Sequence, residues 1–174
     1  MDTPKPGTYH IDAGRSVISF RTRHLFGLGP VRGTLSLYEG EIRVAEPAGS
    51  SAVRATIDAA SFHTGNPERD RTVLSRRLLD VGRYPVLTFS SGQLTEAGGR
   101  WILHGSLTVA GSTRPVELAI EDVRTDGAVL TARASTDIDR YAFGVTAMKG
   151  LAARHLSCRV EIVAVRRDDD GYRG

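Results

Sequence analysis

The chain has 174 residues, a net charge of +3 and a calculated pI near 9.3. That length fits one domain with a sizeable core, and an excess of three charges is too small to argue for nucleic acid. A lone cysteine, Cys158, excludes an internal disulfide or a paired-cysteine zinc site.

The N-terminal MDTPKPGTYHID lacks the basic and apolar regions of a secretory signal, and no apolar run nears the roughly 20 residues of a spanning helix. The expected location is therefore cytoplasmic. Both termini, MDTPKPG and RRDDDGYRG, read as loose.

From there the chain alternates with period two, the mark of strands with one buried face. VISFRTRH puts Ile18, Phe20, Thr22 and His24 on one face. In VRGTLSLYEGEIRV the apolar parity flips, from Leu35 and Leu37 to Ile42 and Val44, which predicts a bulge or bend near Glu39–Gly40. AVRATID turns Val53, Ala55 and Ile57 to one side.

The stretch SFHTGNPERDRTVLSRRLLDVGRYP carries the one helical pattern. Asn66 suits an N-cap, Pro67 the first turn, and Glu68 the positive end of the helix dipole. The predicted helix spans about 66–80, holds to the sheet through Val73, Leu74 and Leu78, and stops at Gly82 and Pro85.

Strand patterns then resume: VLTFSSGQL with Leu87 and Phe89, WILHGSLTV with Trp101, Leu103, Gly105, Leu107 and Val109, and VELAI with Val116, Leu118 and Ile120. VLTARASTDI carries Leu130, Ala132, Ala134, Thr136 and Ile138 inward, and LSCRVEIVAV carries Leu156, Cys158, Val160 and Ile162. The short turns EAGGR, AGSTRP and TDGA favour antiparallel neighbours. About eight such strands close into a barrel or stack as a sandwich. Small inward residues such as Ala55, Gly105, Ala132 and Ala134 leave room for a ligand, or fit a tapered filled core.

Four segments, in order and together covering roughly residues 8–166, resemble the YceI-like family of lipocalin-like, polyisoprenoid-binding proteins. They are YHIDAGRSVISFRTRH, IDAASFHTGNPERDRTVLSRRLLDVGRYPVLTF, GSLTVAGSTRPVEL and DIDRYAFGV. The resemblance implies a mainly β fold, an eight-stranded antiparallel lipocalin-like barrel with one short inserted helix, in a single domain over 1–174. It also implies a long apolar tunnel holding an isoprenoid or other long-chain amphiphilic lipid, and a possible homodimer. Family members often carry DFFD where this chain has Leu78-Leu79-Asp80.

On that reading Phe20, Phe89, Trp101 and Leu130 line the tunnel, with a filled core as the alternative. His24 either anchors its strand or meets the ligand head at the mouth. Arg140 continues the inward parity of Ile138, and a buried guanidinium needs a partner. Asp70 is the expected partner, and a phosphate or carboxylate head is the alternative. Arg69 and Arg76, seven apart, are expected to share a helix face, as a solvated surface or as an electropositive rim with Asp70.

Sites of chemistry are sparse. There is no GxSxG, HExxH, P-loop or dinucleotide fingerprint, and the five histidines have no metal-ligand spacing. Cys158 reads as a buried, inert small hydrophobe and His104 as outward-facing. The expected function is thus a lipid-binding or carrier protein without cofactor or metal. The alternatives are an isomerase or cyclase using His24 in the same pocket, or a partner-binding module with a filled core. The apolar loop 146–155 is expected to be mobile and is a candidate gate.

Overall fold

A computed structural model of the chain describes residues 1–22 and 29–167. His24 lies outside the described residues. The period-two runs form nine antiparallel strands: β1 (Gly7–Ile11), β2 (Val17–Thr22), β3 (Arg32–Val44), β4 (Ala52–His63), β5 (Val86–Ala97), β6 (Arg100–Val109), β7 (Ser112–Asp126), β8 (Val129–Asp139) and β9 (His155–Arg166).

The order β1-β3-β2-β9-β8-β7-β6-β5-β4, closed by β3–β4 and β1–β9 pairing, makes a barrel. Both β1 and β2 pair with β3 and β9, so they are one stave broken in two, and the barrel has the eight staves expected. The break is made by Asp12, which accepts from the Gly14 and Arg15 amides and so caps a single 3-10 turn. Ser16 then fills the gap in the ladder, its Oγ accepting from the Val163 amide at 3.0 Å and donating to the Asp12 carbonyl at 2.7 Å.

Four ladder irregularities turn the apolar face back to the lumen, the first between Thr34 and Ser36 against β4. The parity flip in β3 coincides with one between Leu37 and Glu39 against β4, next to the expected bend. Two more, between Ser91 and Gln93 and between Ile120 and Asp122, were not foreseen. They return Leu94 and Val123 to the interior.

Gly105 has a specific use. A Cβ there would lie 2.5 Å from the Phe89 ring and 2.8 Å from the Ser90 carbonyl oxygen. The aromatic ring therefore lies against the neighbouring strand, and Gly105 is covered rather than open.

The helix α1 spans Pro67–Leu74, shorter than the predicted 66–80. Its start is as read: Asn66 Oδ1 accepts from the Arg69 amide at 3.0 Å. Its end is earlier because Ser75 leaves helical geometry and its hydroxyl donates to the Thr72 carbonyl. The chain then folds back, with the Leu79 and Val81 amides donating to the Val73 and Leu74 carbonyls and Asp80 in the left-handed region. Gly82 and Pro85 therefore do not stop the helix. The fold-back carries Leu78 and Leu79 into the core beside Val73, while Leu74 stays outside that cluster.

Residues 1–6, read as loose, are tied down. The Asp2 amide donates to the Val123 carbonyl at 2.7 Å, the Thr125 amide to Asp2 Oδ2 at 2.8 Å, and the Tyr9 hydroxyl to the Lys5 carbonyl at 2.9 Å. The segment crosses one end of the barrel, where the Val123 carbonyl of β7 accepts the Asp2 amide and the Asp2 carboxylate accepts the Thr125 amide. Among the described residues no helix is long and apolar enough to cross a membrane.

Candidate functional site

The inward faces of the staves do not meet. They enclose a cavity of about 960 Å³ that runs from the N-terminal segment at one end to α1 and the loop 145–153 at the other. An eleven-residue strand such as β8, rising about 3.3 Å per residue and tilted by about 40°, gives the lumen a length of about 28 Å. The volume lies at the upper end of the range for ligand pockets. The wall is largely hydrocarbon because the inward position of nearly every stave is Ile, Leu, Val, Phe or Ala.

Phe20, Phe89, Trp101 and Leu130 all stand in this wall. Phe20, only 5 % exposed, stacks on Phe62 with ring centroids 4.9 Å apart. Trp101 and Leu130, each at the start of its strand, lie toward the N-terminal end, and Phe20 toward the helix end. Phe62, Leu94 and Val123 are wall residues that the alternation alone did not single out. All three sit at or just after irregularities in the ladder, Phe62 within the one in β4 between Asp58 and His63, and a bulge leaves no signature in a period-two count.

Arg140 is 9 % exposed and reaches the cavity wall, as its parity implies. It does not meet Asp70. Its Nε donates to the Ala153 carbonyl and its Nη1 to those of Val145 and Ala147, each at 2.8 Å, and Nη2 donates to Ala152 at 3.2 Å. The guanidinium thus clamps both legs of the loop read as mobile. Burial pulls its pKa down, countered by Tyr141 and Asp139.

Asp70 is turned away, accepting from the Thr64 amide and hydroxyl, with His63 Nδ1 at 3.5 Å. Burial raises its carboxyl pKa, but the Thr64 hydroxyl and amide, His63 and Arg69 outweigh that and hold it below the usual range. The expected pair fails because Thr64 is six residues from Asp70 and local partners are met first.

Arg69 reaches the cavity mouth, its Nε donating to Thr64 Oγ1 at 2.9 Å. Arg76 lies past the end of α1, exposed and outside the cavity wall, so the two arginines do not share a helix face.

The electrostatics of this end gather around Tyr141. Its ring lies 4.9 Å from the Arg140 guanidinium, 4.7 Å from that of Arg154 and 5.2 Å from the Lys149 ammonium. Asp139 answers them. It receives Arg154 at 2.9 and 2.8 Å and caps the 3-10 turn Arg140–Phe143 by accepting from the Tyr141 amide.

The Arg154 hydrogen bond, with the Tyr141 amide next, brings the Asp139 pKa down to about 2 against the opposing effect of burial. A depressed carboxyl contributes stability above its unfolded value and loses it as pH falls through the folded one. An Asp139→Asn variant is therefore expected to be less stable than the parent at neutral pH. The gap should close between pH 3.8 and about 2, as read by urea unfolding across that window.

Cys158 is half-buried in the wall, and burial, then Asp137, pushes its thiol up to about 11. It is protonated at neutral pH and a poor nucleophile. His104 is outside the cavity wall, between Thr95 Oγ1 at 2.7 Å and Glu117 Oε1 at 3.3 Å.

Comparison with known proteins gives a consistent result. A family model, the YceI-like domain, matches residues 9–165. A UPF0312 protein of Photorhabdus laumondii is 33% identical over 117 residues, 65% of this chain and 60% of that protein. A second UPF0312 protein, from Enterobacter, is 29% identical over 91% of this chain and 86% of its own length.

The chain thus spans about three fifths of the Photorhabdus relative that it matches. Among solved structures, BcnA of Burkholderia cenocepacia superposes with TM-score 0.77 at 26% identity, over 89% of this chain and 99% of that one. A polyisoprenoid binding domain from Saccharophagus degradans shares the fold, with TM-score 0.70 at 15% identity over 94% of this chain and 100% of that one.

Proposed function

The chain belongs to the YceI-like domain family, and from that premise we propose that it binds an isoprenoid or other long-chain amphiphilic lipid inside its barrel. The observation that carries this reading is the apolar lumen of about 960 Å³ running the length of the barrel. Each buried methylene contributes about 0.8 kcal/mol, so a chain of a dozen carbons supplies about 10 kcal/mol before the entropy of association is subtracted.

The description of the Saccharophagus relative as polyisoprenoid-binding supports the same ligand class. Binding rather than turnover is the centre of this reading, because the wall is hydrocarbon and the Cys158 thiol in it is held protonated. Phe20, Phe89, Trp101 and Leu130 would contact the chain along its length. A cytoplasmic location and a homodimeric state belong to the same proposal.

Native mass spectrometry of protein purified without detergent should show one apolar adduct, and organic extraction should return a prenyl or long-chain lipid. A protein that carries no adduct and takes up neither prenyl nor fatty-acyl probes would overturn the reading.

A further inference from the structure

The helix end of the barrel differs from the rest of the surface in charge. Residues 67–83 hold five arginines against three acids, and residues 139–154 hold three cations against one acid. Their combined excess is larger than the +3 of the whole chain, so the remainder is slightly acidic. Two of those four acids are already engaged, Asp70 by Thr64 and His63 and Asp139 by Arg154. Arg71, Arg76, Arg77, Arg83 and Lys149 are exposed.

The same end bears an apolar projection. Leu151 is 70 % exposed, the most of any large hydrophobic side chain among the described residues, and it also borders the cavity mouth. It stands on a tight turn in which Met148 and Gly150 take left-handed geometry and the Leu151 and Ala152 amides donate to the Met148 carbonyl. Arg140 holds the carbonyls on both sides of this turn. The turn is therefore presented on a fixed base, with Lys149 beside the leucine.

We propose that this end docks on an anionic bilayer, Leu151 entering the acyl region while Lys149 and the exposed arginines of residues 67–83 meet lipid phosphates. Charge complementarity selects the occupant: exposed cations at the same end as the exposed Leu151 match an acidic lipid surface. Continuity with the lumen supports it, since Leu151, Arg69 and Ala153 border both the patch and the cavity. Docked in this way, the mouth opens onto the membrane and a chain can pass from bilayer to barrel without crossing water. The inference extends the lipid-carrier reading but is tested separately from it.

The test is flotation of the full chain with phosphatidylcholine vesicles, with and without phosphatidylglycerol, at rising salt. Binding is expected only with phosphatidylglycerol and should weaken as salt increases. Leu151→Asp should lower partitioning roughly tenfold or more. The triple reversal Arg71→Glu, Arg76→Glu, Lys149→Glu should lower it roughly a hundredfold.

The triple reversal, whose residues lie outside the cavity wall, should keep uptake of a soluble short-chain prenyl probe, which reports an intact barrel. Failure to float with phosphatidylglycerol, or flotation indifferent to both variants, overturns the proposal. Flotation without probe uptake would leave the docking standing and count against the carrier reading instead.

Discussion

An Ala134→Trp variant is expected to fold with little change in stability and to lose most of its affinity for long-chain lipid. Ala134 lies midway along β8, opposite Val160 and Ile120, with its methyl on the cavity wall. In a filled core, so large an insertion would strain its neighbours and cost typically 1–3 kcal/mol. Here the ring enters empty space and gains contacts.

The same ring divides the lumen. If it excludes about five methylenes of a bound chain, the loss is about 4 kcal/mol, close to a thousandfold in Kd. Titration with a fluorescent prenyl or fatty-acyl probe, alongside urea unfolding, reads both quantities. Full affinity in a stable variant would mean that the ligand does not occupy the middle of the barrel. A variant that fails to fold would mean that the lumen is closed in solution.

Arg140→Met is expected to destabilise the protein by about 3 kcal/mol. The substitution keeps the unbranched apolar stem of the side chain and removes the donors to four carbonyls, those of Val145, Ala147, Ala152 and Ala153. A hydrogen bond to a charged group contributes about 1.5–3 kcal/mol, but the carbonyls nearest the mouth can rehydrate, so the four losses do not add. Arg140→Lys should recover less than half. An ammonium offers three donors from a single point and cannot reproduce the planar fork that spans both legs of the loop.

Urea unfolding gives the global effect. Amide exchange over 145–153 should accelerate in both variants, since the clamp is what orders that loop. If Arg140→Met were as stable as the parent, the carbonyl cluster would not be the reason for burying the guanidinium. The head-group alternative would then regain its place.

Much of the barrel was legible because strand alternation is local. Ile18 and Phe20, or Leu130, Ala132 and Ala134, point the same way whatever the rest of the chain does. The start of α1 was equally legible, since Asn66-Pro67-Glu68 acts through bonds within one turn. The end of α1 was not, because Ser75 wins the Thr72 carbonyl only once the following turn brings Leu78 and Leu79 onto the core. The bulges that turn Leu94 and Val123 inward escaped for a related reason: they are set by the register of the partner strand.

The candidate site divides in the same way. Parity carried Phe20, Phe89, Trp101, Leu130 and Arg140 to the wall, and it could not choose partners across space. Asp70 looked suitable for Arg140 because acids are visible in a sequence. The groups that took the guanidinium are backbone carbonyls, which every residue has and none advertises.

By itself, then, the sequence determined which faces are apolar, that there are about eight strands and where the helix begins, all of which follow from short-range periodicity and capping. Only the tertiary structure decided that the lumen is open, that the N-terminal residues cross one end, and that charge and an exposed leucine gather at the other. An open lumen is a difference between the radius imposed by eight closed staves and the volume of the side chains pointing in. Neither quantity is carried by any one segment of the chain.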